Sequence, residues 1–361
     1  MENKEHELPR RKTRQISVGG VLIGGEAPII IQSMTKTDTR DVKATVAQIR
    51  RLEKAGCEIV RLAVPDTEAA ESLLRIRQKV TVPLVADIQF DHRLALACIG
   101  LGIDGLRINP GNIGSPEKVK EVVAAAKERN IPIRIGVNSG SLEKEVLKTY
   151  GRASAEAMVE SAMRHIRILE DLDFRLIKVS LKASDVLRTA EAYRRLGRKV
   201  DYPFHAGITE AGPRLCGAVK SAVGLGIILN EGLADTIRVS LTAPPEEEVR
   251  VAYQILGSLE LRRRGPNIVS CPTCGRCEVN LKRIAAEVER GLSRIPQSLT
   301  VAVMGCMVNG PGEAKEADIG VACGHGVGII FKKGRLLRRV PEKKIVGDLL
   351  KEVENIVAAK R

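Results

Sequence analysis

Three cysteines stand within seven positions of SCPTCGRCEVN, residues 270–280, and two more follow at 306 and 323. Cys271 and Cys274 have C-x2-C spacing, which lets two thiolates reach one centre from a single turn. Zinc and iron–sulfur sites share that spacing. Cys277 is the default third ligand by proximity and Cys323 a default fourth, which would make a structural zinc ribbon. Cys306 is the other third ligand on offer: in MGCMVNGPGEA, Gly and Pro bracket it so that the backbone can fold tightly around a buried group. At this point both metals remain open.

A second set of chemistry-bearing residues lies upstream, inside stretches that read as strands. Arg61 sits in EIVRLA, Asp87 in VADIQ, Arg107 and Asn109 in LRINP, and Arg134 and Asn138 in IRIGVN. Lys178, Ser180 and Lys182 follow in IKVSLKAS, His205 and Glu210 in FHAGITE, and Arg238 and Ser240 in IRVSLT. Side chains alternate across a strand with period two, so Lys178, Ser180 and Lys182 share one face, as do Arg238 and Ser240. A concentration of cations in a low-dielectric recess is costly unless an anion fills it, and Arg forks match phosphate oxygens. The pattern calls for a ligand carrying more than one phosphate charge. Lys220, in GAVKSAVG, is a further contributor, expected at a helix start.

The elements that must position these residues alternate regularly. PIIIQSMT precedes DVKATVAQIRRLEKAG, CEIVRLAVP precedes TEAAESLLRIRQK, and the pattern continues to DTIRVSLT before PEEEVRVAYQILGSLELRR. Eight strand and helix pairs in about 230 residues are the number and size of a closed (β/α)8 TIM barrel, whose active site forms at the strand C-termini. The competing doubly wound sheet lacks its Gly-rich dinucleotide fingerprint here. After LELRRRGPN the pattern changes to a cysteine knuckle, a helix, short strands, a hairpin and a final amphipathic helix. The fold class is therefore α/β: a TIM barrel over residues 1–261 and a small α+β domain over 262–361.

Composition narrows the function. The net charge of +14, from 58 Lys and Arg against 44 Asp and Glu, favours anionic partners. Aromatics at 2% and the absence of Trp remove most stacking platforms for single-stranded bases. No run approaches the roughly 18 uncharged apolar residues of a membrane span, and MENKEHELPRRKTRQ has no signal-like apolar stretch, so a cytoplasmic protein with reduced thiols is expected. The basic PRRKTRQ reads as a solvated arm, His165 as a packing residue, and Cys57, Cys98 and Cys216 as core fillers. A basic nucleic-acid-binding protein with a zinc knuckle is the alternative class. It predicts a colourless protein with salt-sensitive affinity.

CPTCGR, MGCMVNGPGEAKEADIG, VRLAVP, LRINPGNIG, IRIGVNSGSLE, IKVSLKAS, HAGITEAG and DTIRVSLT together resemble the 4-hydroxy-3-methylbut-2-enyl diphosphate synthases of the non-mevalonate isoprenoid pathway, over essentially the whole chain. The resemblance implies a [4Fe–4S] cluster held by Cys271, Cys274, Cys306 and Glu313, with Cys277 a bystander. A carboxylate is a harder and more exchangeable ligand for iron than a thiolate, so Glu313 suits a corner at which chemistry occurs. The implied reaction is reductive ring opening of 2-C-methyl-D-erythritol 2,4-cyclodiphosphate, with electrons from ferredoxin or flavodoxin. Arg61, Arg107, Arg134 and Arg238, with Lys178 or Lys220 and the neighbouring Ser180 and Ser240, are then expected to bind the diphosphate. Asp87, Asn109, Asn138, His205 and Glu210 are expected to orient hydroxyls or deliver protons. The last barrel helix should return the chain to the face opposite the mouth, so the cluster of one chain is expected to serve the barrel of another in a head-to-tail homodimer.

Overall fold

The structure, a computed structural model, describes residues 8–307, 312 and 315–359. The chain divides into two compact units, Met1–Arg262 and Arg263–Arg361, one residue beyond the expected boundary.

The first unit begins with a hairpin, β1 (Ile16–Val18) and β2 (Val21–Ile23), closed by Gly19 and Gly20, both at positive φ. Eight parallel strands follow: β3 (Ile30–Met34), β4 (Ile59–Ala63), β5 (Leu84–Asp87), β6 (Gly105–Ile108), β7 (Ile133–Asn138), β8 (Ile177–Lys182), β9 (His205–Ala206) and β10 (Thr236–Ile237). Their order is β8-β7-β6-β5-β4-β3-β10-β9, and Val179 of β8 bridges Phe204 beside β9, which brings the two ends of the sheet together as a barrel. The short β9 is tied in by Tyr193, whose hydroxyl donates to the His205 carbonyl at 2.7 Å and accepts from the Leu181 N–H at 3.1 Å.

The helices are α1 (Val42–Ala55), α2 (Thr67–Arg77), α3 (His92–Gly100), α4 (Pro116–Glu128), α5 (Lys144–Tyr150), α6 (Ala155–Asp171), α7 (Val186–Gly197), α8 (Arg214–Asn230) and α9 (Pro245–Ser258). Asp41, Asp66, Asp91, Ser154 and Asp185 each accept a hydrogen bond from the first turn of the helix they precede, so helix starts are set within the βα-loops themselves. The seven-residue α5 is an addition to the expected pairs.

Strand alternation sorts the side chains into two sets. Ile31, Leu62, Leu84, Ile108, Ile135 and Val179 pack outward against the helices. At the strand N-terminal ends, Ile30, Ile59 and Val85 instead meet Ile16, Val18 and Ile23 of the hairpin in a separate cluster, so β1 and β2 plug the barrel floor.

The basic N-terminal arm is docked, not solvated. Arg11 donates to the carbonyls of Val200 and Tyr202 and lies 4.0 Å over the Phe204 ring, while Arg10 pairs with Asp235 at 3.3 Å and Arg14 with Asp201 at 2.8 Å. These acceptors lie 187 to 225 residues away, which is why local composition reads the arm as solvent-exposed. Cys57 and Cys98 are buried as expected, but Cys216 is exposed on α8.

The second unit is a five-stranded sheet in the order β11 (Asn267–Ser270), β12 (Thr300–Met304), β13 (Ile319–Gly324), β14 (Val327–Lys332), β15 (Arg335–Pro341), with the first three parallel and the last two antiparallel additions. Helices α10 (Leu281–Leu292) and α11 (Ile345–Ala359) bury Ile284, Val288, Leu349 and Val353 against Val301, Val303, Val321 and Ile330. This is the small α+β unit that the sequence calls for.

Candidate active site

The inward-facing row of the barrel carries charge where a folded core ordinarily carries none. Asp87, Arg107, Arg134 and Lys178 are successive partners across β5 to β8, each no more than 8% exposed. Arg61, Lys182, His205 and Arg238 complete the ring from β4, the end of β8, β9 and the stretch after β10.

Among the described residues, two carboxylates form ion pairs with these cations. Asp87 stands 3.3 Å from Arg107 Nη1 and 3.7 Å from Arg61 Nε. Glu248, on α9 and 1% exposed, lies 3.8 Å from Arg238 and 2.9 Å from Lys36, and accepts from Ser33 Oγ and the Leu241 N–H. Neither Glu248 nor Lys36 stands out in the sequence. The only signal is helical period, which turns one glutamate of PEEEV toward the barrel.

Arg107 is fixed by further contacts, donating to Gln89 Oε1 and to the Gly136 carbonyl, both at 2.9 Å. Asn109 Oδ1 accepts from the Gly136 N–H at 2.9 Å. A methyl group at Gly136 would sit 2.5 Å from Arg107 Nε, so only glycine lets the guanidinium lie across β7.

The remaining cations lack full compensation. Lys178 Nζ, Arg134 Nε and Nη1, and both amide atoms of Gln32 are buried without a hydrogen-bond partner among the described residues. These three residues line one small cavity with Val18, Val85, Gly105, Leu106 and Pro132, directly above the floor plug. Burial pushes Lys178 down to about 7 and Arg61 to about 9, with neighbouring cations adding to the effect. Desolvation, reinforced by the arginines around them, likewise holds Arg134 and Lys182 well below their ordinary values. An anion placed against these cations would offset that penalty.

His205 is fully buried, with Nδ1 2.7 Å from Thr236 Oγ1 and Nε2 unpartnered among the described residues. Burial first, then Lys182 and Arg134, hold it far below the usual histidine range, so it faces the site as a neutral imidazole. Asn138 is half-buried at the end of β7, Ser240 is half-buried three residues beyond β10, and Ser180 donates to the Ile135 carbonyl at 3.3 Å. Two expected residues stand apart from this interior. Glu210 is exposed in a left-handed turn at φ 51°, and Lys220 is in the second turn of α8 and not at its start, because that helix begins at Arg214.

In the second unit, Cys271 directly follows β11, and Cys274 and Cys277 close a turn through the Cys277 N–H to Cys274 carbonyl bond of 2.9 Å. Cys271 Sγ accepts from the Gly305 N–H at 3.2 Å, which places it beside Cys306 in the chain. A methyl at Gly305 would lie 2.6 Å from Cys277 Sγ and 3.5 Å from Cys271 Sγ. Cys277, expected as a bystander, thus stands against the same glycine as Cys271. Hydrogen bonds from the Arg276 backbone and guanidinium favour the Cys274 thiolate, and Arg276 also feels Cys306. Among the described residues no group of three or more His, Cys, Asp or Glu side chains is arranged to hold a metal ion, and Glu313 lies outside them. The donor set nevertheless fits a thiolate-held cluster: soft ligands from two loops, a thiolate-favouring cation and a glycine cradle between the sulfurs.

Two family models cover the chain: the GcpE TIM-barrel domain matches residues 13–253 and the GcpE protein C-terminal domain matches 267–355. A protein of Geobacter sulfurreducens called 4-hydroxy-3-methylbut-2-en-1-yl diphosphate synthase (flavodoxin) is 60% identical over 351 residues, 97% of this chain and 99% of its own. A protein of the same name from Thermodesulfovibrio yellowstonii is 58% identical over 96% of this chain and 99% of its own. Among solved structures, dihydropteroate synthase from Stenotrophomonas maltophilia superposes with a TM-score of 0.50 at 14% identity, over 69% of this chain and 98% of that one, a likeness of barrel fold alone.

Proposed function

The chain belongs to the GcpE family, and from that premise we propose that it reduces 2-C-methyl-D-erythritol 2,4-cyclodiphosphate to 4-hydroxy-3-methylbut-2-enyl diphosphate, in the non-mevalonate isoprenoid pathway of the cytoplasm, with flavodoxin or ferredoxin as electron donor. Two electrons and two protons enter and one water leaves.

The observation that carries this reading is the row Arg107–Arg134–Lys178, buried side by side on three strands, with donors of Arg134 and Lys178 left unpartnered among the described residues. A compact cyclic diphosphate supplies the two negative charges that this row lacks. Arg61, Arg107, Arg134 and Arg238 bind its phosphates, aided by Lys178, Ser180 and Ser240, while Lys220, in the second turn of α8, stands outside this set. Asp87 lies between Arg61 and Arg107 and aims both guanidinium groups. Asn109 and Asn138 meet the hydroxyls, and protons move through neutral His205 inside the barrel and Glu210 on the exposed loop after β9. Clamping the diphosphate at both ends holds the ring in one orientation and contributes to rate through proximity.

Cys271, Cys274, Cys306 and Glu313 hold a [4Fe–4S] cluster, which when bound supplies electrons one at a time and a carboxylate-held corner open to exchange. Cys277 is a neighbour of these ligands.

The active form is a homodimer whose sites are shared between chains. Two features of the barrel unit support it. Arg262, where the unit ends, is anchored to Glu58 at 2.9 Å and to the Ile29 carbonyl, at the strand N-termini opposite the mouth. Leu215, Val219 and Val223 form an exposed apolar stripe at i, i+4 and i+8 on α8, suited to burial against another chain.

The test is purification under anaerobic conditions, followed by an absorption spectrum, iron and sulfide assays, and turnover of the cyclodiphosphate with reduced flavodoxin. Brown protein with four irons per chain, as a [4Fe–4S] cluster requires, and product formation are expected. Colourless, iron-free protein that turns over fully, or iron-replete protein that leaves the cyclodiphosphate untouched, would defeat the assignment.

A further inference from the structure

His165, on α6, is 3% exposed, and both of its ring nitrogens are engaged by loops that open on the barrel mouth. Nδ1 lies 3.1 Å from the Gly111 nitrogen and accepts its N–H. Nε2 lies 2.8 Å from Glu143 Oε1, and Ser161 Oγ donates to the same oxygen at 3.1 Å. Gly111 belongs to the loop after β6, which Asn109 begins, and Glu143 to the loop after β7, which follows Asn138.

These contacts leave the ring one protonation pattern. A main-chain N–H can only donate, so Nδ1 must keep its lone pair, and the proton must sit on Nε2, facing the carboxylate. An imidazolium would set N–H against N–H at Gly111.

Filling space does not explain this arrangement, since leucine packs an apolar helix face without two polar partners to satisfy. The fit is also close, because a methyl group at Gly111 would lie 3.0 Å from His165 Cε1. Asn109 is held from its other side by the Gly136 N–H, so a shift of the β6 loop reaches it directly.

We infer that His165 is a positioning residue for the barrel-mouth site: as a neutral, Nε2-protonated imidazole it staples the β6 and β7 loops together and thereby places Asn109 and Asn138 for the hydroxyls of the substrate. The inference rests on the barrel mouth being the substrate site.

Two variants separate its contacts. His165→Asn can retain an acceptor where Nδ1 stands, and His165→Gln a donor where Nε2 stands, whereas His165→Leu keeps neither. Calorimetric titration of the cyclodiphosphate into oxidised full-length holoenzyme, where no turnover occurs, should give about threefold weaker binding for Asn and Gln and about tenfold for Leu. KM should rise in parallel, with kcat within about twofold and iron content unchanged. Nitrogen-15 spectra of wild-type protein should show His165 as the Nε2–H tautomer. Wild-type affinity in the Leu variant, or an Nδ1–H tautomer, overturns this inference while leaving the substrate assignment standing. Wild-type protein that does not bind the cyclodiphosphate overturns both.

Discussion

In the barrel, Arg134 and Lys178 are each 3% exposed, carried on adjacent strands and held in place whether or not a ligand is present. In the C-terminal unit, Cys274 is exposed, Cys271 and Cys277 are half-buried, and the thiols stand on loops at the ends of β11 and β12. Strands can hold uncompensated charge in place because the surrounding layers of helix leave it no path to water, at a cost in stability. Loops cannot do this, and soft ligands on loops are ordered by the group they bind. The proposed anion site is therefore preformed, whereas the cluster site is completed by its cofactor.

Cys306→Ser should break this comparison most severely. Removing a thiolate from a loop-borne site should abolish bound iron and reduce turnover to background, while the circular dichroism of the barrel remains. Iron assay and anaerobic spectra check it, and retained iron with full turnover would remove Cys306 from the ligand set. If sites are shared between chains, mixing Cys306→Ser with Arg107→Ala chains should then recover activity through hybrid dimers, because both lesions fall in one site of the hybrid and leave the other intact. Failure to complement would count against sharing.

Arg134→Met should leave iron unchanged but lower kcat/KM by about 10²- to 10³-fold, the usual effect of deleting a preorganised cationic contact. It should also leave the ligand-free protein no less stable, since it removes a desolvated charge. A large fall in melting temperature would mean that Arg134 is structural.

Lys178→Met sharpens the same point through pH. The lysine falls from 10.5 to about 7 on folding. Between those values the unfolded chain holds a proton that the folded one has released, so ligand-free stability gains as pH rises through this window and the penalty is fully present below it. The variant should therefore melt higher than wild type near pH 7 by about 2–6 °C, with the difference shrinking toward pH 10. Equal melting points at both pH values would show that Lys178 is already compensated.

The smallest effect belongs to the floor. Arg11→Ala loses two carbonyl contacts and the Phe204 ring, for about 1–3 kcal/mol of stability, with iron and KM unchanged. Thermal denaturation checks it, and unchanged melting would return the arm to a solvated role.

Much of the barrel was legible in the sequence because period-two strands and 3.6-period helices are local patterns, and alternation alone places Lys178, Ser180 and Lys182 on one face. The same rule brought Arg61, Arg107, Arg134 and Arg238 to the interior. C-x2-C spacing is equally local. What spacing does not reveal is partnership. Asp87 is divided between Arg61 and Arg107, Glu248 is delivered from α9 to Arg238 and Lys36, and Arg11 finds acceptors near residue 200. His165 reads as packing until Gly111 and Glu143 are folded against its two nitrogens.

The sequence by itself thus determined the element order, the inward cation set and the chemical softness of the cysteine cluster, since these follow from short-range periodicity and residue type. Only the tertiary structure decided which charges are neutralised, which stay unpaired, and which tautomer His165 adopts. Those outcomes depend on burial and on contacts between residues far apart in the chain, where a change of one or two ångströms in the approach of a carboxylate decides whether a buried cation is satisfied or left waiting for an anion.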